Sequence, residues 1–134
     1  MALRFYTVVV DCRDIAAQAR WWAETLDWMI VYEDATEVAV IPKWLSADSV
    51  AGLDDWMKLP QGLVFVPVRE GKTIKNRLHI DLAPHTSQDR DAEIVALLDR
   101  GARRVDVGQN ESASWIVLAD PEGNEFCVLS SRDR

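Results

Sequence analysis

Cysteine is scarce in this chain: Cys12 and Cys127 are the only two in 134 residues, and they form no CxxC pair. No disulfide framework supports the fold. None is needed at this length, since a single domain of this size buries roughly two thirds of its unfolded surface. Long hydrophobic runs are also missing. The apolar stretches VVV, MIV and LVFV fall far short of the roughly 20 residues that cross a bilayer, which excludes a membrane-spanning helix. Positive charge is in deficit, with 15 Lys and Arg against 22 Asp and Glu and a net charge of −7. That balance argues against nucleic acid, whose phosphates reward clustered Lys and Arg. Acidity signals solubility and would attract a cationic ligand. The opening MALRFYTVVVDC shows no charged region followed by a long apolar core and cleavage site, so the expected location is a reducing cytoplasm.

What the chain does hold is tryptophan. Six of its eleven aromatic residues are Trp, at positions 21, 22, 28, 44, 56 and 115. Tryptophan fills cores and lines ligand clefts, where its face stacks and its N–H donates. Core packing is expected for about half of them, because Trp is often only partly buried.

Residues 3–11, LRFYTVVVD, are apolar on both alternating sets of positions, which predicts a strand covered on both faces. Asp14 then caps a helix in DIAAQARWWAETLDW, whose inner face carries Ile15, Ala19, Trp22, Ala23 and Leu26 and whose wet side carries Arg20, Glu24 and Asp27. MIVYE, TEVAVIP and GLVFVPV read as strands. Between the last two lies KWLSADSVAGLDDWMKLP, which reads as a long loop with one helical turn. Trp44, Trp56 and Met57 there either cover a cavity or pin the loop down.

The second half repeats the plan. RLHIDLA reads as a strand, and DRDAEIVALLDRGAR as a helix that opens with a Thr86 to Asp89 capping box, buries Ile94, Leu97 and Leu98, and ends at Gly101. Strands RRVDV, SWIVLAD and EFCVLS follow, the last two joined by a type I turn, DPEG. The order βαβββ therefore occurs twice, as a duplicated unit within one α+β domain, module 1 over about residues 1–70 and module 2 over about 75–134. Two curved mixed sheets pairing their open faces would leave a concave channel for a small ligand.

In NRLHIDLAP one histidine stands between apolar neighbours with Asp81 two residues on. His79 reads as a metal ligand, a general base able to titrate near neutral pH, or a hydrogen-bonded core residue. On a strand, residues two apart share a face, which groups Arg77, His79 and Asp81, and likewise Glu125 and Cys127.

The strings DCRDIAAQARWWAETLDW, NRLHIDL, LLDRGARRV and LADPEGNEFCVL resemble the vicinal oxygen chelate superfamily, the glyoxalase, bleomycin-resistance and dioxygenase group, over essentially the whole chain. Metal-dependent members typically hold a divalent ion through His or Gln, Glu, His and Glu, on the first and last strand of each module. By that resemblance the four positions fall at Thr7, Val66, His79 and Cys127, with Glu125 two residues early. One ligand is kept, one is a thiol and two are lost. A catalytic ion needs about three protein ligands, so no cofactor is expected. If a divalent metal binds, His79 and Cys127 hold it.

The resemblance also makes the strands of His79 and Cys127 neighbours, so that Arg77, His79, Asp81, Glu125 and Cys127 form one polar patch in an apolar channel, joined by Thr7 and Asp11; Trp44 and Trp56 are further candidate ligand contacts. A cysteine beside a histidine is a nucleophile if its pKa falls, but buried thiols are usually inert. Three functions follow as expectations. The first is a metal-free protein that sequesters a cationic or aromatic compound, similar in design to bleomycin-resistance proteins. The second is a glyoxalase-type lyase or isomerase acting on a small oxygenated metabolite through His79. The third is a scaffold without ligand. Relatives of this size commonly pair, and a homodimer is expected.

Overall fold

β-Branched residues in TVVVDC favour an extended chain, and Asp14, whose carboxylate accepts the Ala17 N–H, ends the strand by starting a helix. The computed structural model describes residues 2–106 and 114–134 and divides into two compact units, Met1–Gly71 and Lys72–Arg134. The first unit comprises β1 (Thr7–Cys12), α1 (Ile15–Leu26), β2 (Trp28–Glu33), β3 (Val38–Pro42), α2 (Leu53–Lys58) and β4 (Gly62–Pro67). Its sheet has the order β1-β4-β3-β2, with β1 and β4 parallel and the other pairs antiparallel. The second unit repeats this with β5 (Ile80–Leu82), α3 (Arg90–Asp99), β6 (Arg103–Arg104), β7 (Ile116–Ala119) and β8 (Glu125–Val128), in the order β5-β8-β7-β6. The expected α+β duplication of βαβββ is present.

Helix α1 packs on β2, β3 and β4. Trp22 turns inward as the periodicity predicts, and Trp21 is buried too, their rings meeting edge to face at 5.2 Å and 77°. Val38, Val40, Leu63 and Phe65 complete this core. The helix stops at Asp27, which takes the left-handed conformation at φ 53°.

The first strand departs from expectation. It begins at Thr7 rather than Leu3, and Val9 is 56% exposed, so β1 is not covered on both faces. Register explains this: Val8 and Val10 lie opposite Leu63 and Phe65, whose side chains are buried, while the alternate row holding Val9 points away. The long loop expected to hold one helical turn contains a 3-10 turn at Ala47–Ser49 and the short helix α2.

In the second unit Ile94, Leu97, Val117, Leu118, Phe126 and Val128 are buried. Leu98 is only half-buried, against expectation. Asp89, not Thr86, caps α3 by accepting the Ala92 N–H, while the Thr86 N–H is already taken by the Arg132 carbonyl. Gly101, at φ 109°, supplies the left-handed exit from the helix. Asp120 is buried because its carboxylate accepts the backbone N–H groups of Glu122 and Asn124 inside the predicted DPEG turn. Strand β6 is shorter than predicted, and Val107 lies outside the described residues.

Candidate functional site

Strands β5 and β8 run parallel with Asp81 opposite Cys127, and β7 places Val117 on the other side of Cys127. The pleat puts Glu125 and Cys127 on one face of β8, and Leu129 follows just beyond its end. These side chains, with Lys75, His79 and Trp115, line a cavity of about 260 Å³. The expected adjacency of the His79 and Cys127 strands is thus present.

His79 itself is not in a buried strand. The ladder starts at Ile80, one residue later, and the His79 side chain is 43% exposed. The core reading of this histidine is therefore overturned. The strand is short because Glu125 anchors the preceding segment through its side chain: its carboxylate accepts Lys72 Nζ at 2.7 Å and the Asn76 N–H at 3.0 Å. Without extended backbone at Arg77 the alternation argument fails there. Arg77 sits in an exposed bend and does not line the cavity.

His79 Nδ1 lies 3.1 Å from Asp81 Oδ1 and 3.9 Å from Cys127 Sγ. Asp81 can therefore orient the ring through that contact. Cys127 is buried. Burial, and secondarily the Asp81 carboxylate, push its thiol above the ordinary range. A resting thiolate nucleophile is disfavoured. Burial alone would raise the Glu125 carboxyl as well, but Lys72 and the Asn76 N–H outweigh it and hold the group below its usual range. Glu125 is thereby committed to shaping the site rather than left free to grip a ligand.

The donor set suits a metal better than the sequence implied, because Asp81 joins His79 and Cys127. Ligand atoms of the three lie within 4.8 Å of one another. Tetrahedral zinc spaces its donors by about 3.5 Å, and the 3.1 and 3.9 Å separations bracket that value. An ion here would be held by a borderline nitrogen, a carboxylate and a soft sulfur, a combination that favours zinc. It would supply a Lewis acid and a water of lowered pKa.

The other expected site residues belong to the first unit. Thr7 donates to the Gly62 carbonyl at 3.1 Å and lines a cavity of that unit, as does Trp56. Asp11 is exposed on β1, Val66 is half-buried on β4, and Trp44 is 66% exposed. Lys75, Trp115, Val117 and Leu129 were not expected in the site. For Val117 and Leu129 the signal was alternation with Trp115 and Cys127; for Lys75, on irregular chain, there was none.

A family profile described as Glyoxalase-like domain matches residues 7–129. The chain belongs to the glyoxalase-like domain family. Among solved structures, a glyoxalase/bleomycin resistance protein/dioxygenase family enzyme from Burkholderia phytofirmans PsJN is 15% identical, with a TM-score of 0.66 over 96% of this chain and 98% of that one. The fosfomycin resistance protein FosX from Mesorhizobium loti is 14% identical, with a TM-score of 0.64 over 96% and 92%. A mutant of FosX from Listeria monocytogenes, complexed with Mn(II) and a dihydroxypropylphosphonic acid, is 8% identical, with a TM-score of 0.67 over 98% and 92%. At these identities the likeness establishes the glyoxalase-like fold. No curated protein matches the chain. Among the described residues no helix is long and apolar enough to cross a membrane.

Proposed function

We propose that this glyoxalase-like protein binds a small organic molecule in the second-unit cavity, gripping a cationic or hydrogen-bond-donating group with the Asp81 carboxylate and stacking an aromatic or apolar body against Trp115. The observation that carries the reading is the His79–Asp81 pair at 3.1 Å, with both side chains nearly half exposed, in one cavity with Trp115. A polar pair left accessible beside an apolar wall is the makeup of a ligand pocket. The net charge of −7 favours approach of a cation. Titration with small cationic aromatics, followed by tryptophan fluorescence, tests it: saturable quenching that Asp81→Asn abolishes supports the reading, and no response up to millimolar concentration counts against it.

A second reading rests on the third donor. With a divalent ion held by His79, Asp81 and Cys127, the protein would be an enzyme of glyoxalase type for a small oxygenated substrate, and the ion would supply a Lewis acid. Protein purified without chelator distinguishes the two, since one equivalent of bound metal puts the second reading ahead.

Pairing of two chains also belongs to the proposal. Leu3, Ile74 and Leu78 are each more than three-quarters exposed, and apolar surface of that kind supports association.

A further inference from the structure

The first unit carries its own cavity, of about 850 Å³, lying over the face of β1–β4 that bears Val9. Its volume falls within the roughly 300–1,000 Å³ of small-molecule sites. Most of the wall is hydrocarbon, from residues such as Met29, Val31, Ile41 and Val64. Among the lining residues Arg4 is the one cation.

Arg4 is held in an unusual way. Its guanidinium carbon lies 4.8 Å from the centre of the Tyr6 ring and 4.9 Å from that of Trp56, and one terminal nitrogen donates to the Pro60 carbonyl at 3.2 Å. Two rings and a carbonyl fix its position. They leave its charge without a carboxylate partner: no ion pair joins Arg4 to any described residue, and its Nε–H is buried without an acceptor. Glu37, the other charged lining residue, makes no ion pair with it. A ring face does not accept an in-plane hydrogen bond as a carboxylate does, and a planar guanidinium fork matches a carboxylate in two-point contact. Leaving a donor buried and unmade is costly, and an incoming acceptor would remove that cost.

We propose that this cavity is a binding site for an aromatic monocarboxylate, its carboxylate on the Arg4 guanidinium and its ring among the apolar side chains beside Trp56. The inference rests on Arg4 and the first unit's own lining residues, not on the function proposed for the pocket around His79. It also runs against the chain's net charge of −7, which would draw cations. Preference for an anion here therefore has to come from Arg4.

The test compares 2-naphthoate with the isosteric neutral 2-naphthamide on the whole chain, by ¹⁵N NMR titration. Naphthoate is expected to bind at least about tenfold more tightly, the worth of one charge-assisted hydrogen bond, and to shift the Arg4 Nε–H and Trp56 indole N–H resonances. Arg4→Gln should bring the two affinities together while leaving that for the amide unchanged. Absence of naphthoate binding at millimolar concentration, equal affinities in the unsubstituted protein, or a preference that survives Arg4→Gln would each overturn the proposal. Should Arg4→Gln not fold, the titration of the unsubstituted protein decides, since shifts confined to residues away from Arg4 and Trp56 also overturn it.

Discussion

Asp81 and Cys127 stand opposite each other across the parallel pair β5–β8, so a carboxylate and a thiol share one row of the sheet with Val117 beyond them. His79, two residues before Asp81, closes the group from irregular chain at the strand's edge. The position of this group at the surface governs the first expectations.

His79→Ala and Asp81→Asn should leave stability within about 0.5 kcal/mol of the parent, as for surface substitutions generally. Both side chains are more than two-fifths exposed. Ligand affinity should nevertheless fall by tenfold or more for Asp81→Asn, by loss of a charged hydrogen bond. A thermal melt beside a binding titration separates the effects, and a large drop in melting temperature would restore the core reading of His79.

Glu125→Gln should destabilise the second unit by about 1–3 kcal/mol, because Lys72 loses a charged partner in a largely buried position. The pH dependence has a definite sign. The Glu125 carboxyl is depressed in the folded state from an ordinary value of 4.5, so its contribution is fully present above that pH and is lost as pH falls through the folded value. Urea melts between pH 3 and 7 should show less acid sensitivity in Glu125→Gln than in the parent.

Neither cysteine should be alkylated readily in the folded protein at pH 7, since both are buried and the Cys127 thiol is held above its usual range. Iodoacetamide labelling followed by mass spectrometry should show reaction at least tenfold slower than in urea. Rapid labelling of Cys127 alone would mark it as a reactive thiol.

Chelator treatment should shift the melting temperature by less than about 2 °C, because the donors lie at the end of a sheet that has its own core. Elemental analysis before and after dialysis gives the complementary measure. A fall of 5 °C or more with loss of one zinc would favour the metal-dependent reading.

Light scattering coupled to size-exclusion chromatography should give a mass near twice that of the chain. A monomer at micromolar concentration would remove the dimer from the proposal.

The duplicated βαβββ order was legible in the sequence because each signal is local: Asp14 before an apolar stripe, alternating β-branched runs, Pro121 and Gly123 in a turn. The segment before Ile80 was not. Its path is set by Glu125, some fifty residues away in sequence, and no local pattern announces such a contact. Arg4 was missed for the same reason. A lone cation in an apolar run acquires meaning only when the distant loop brings Trp56 and Pro60 to it.

The sequence by itself determined the fold class, the elements, and the chemical types available at positions 79, 81 and 127, since periodicity, caps and turns act over a few residues. Tertiary structure decided which of those types meet. Strand register placed Asp81 beside Cys127 and made three donors out of an expected two. Glu125, by holding Lys72 and the Asn76 N–H, anchors the segment before Ile80, where His79 is exposed. Both outcomes depend on pairings between segments far apart in the chain, which are chosen by the packing of the whole sheet.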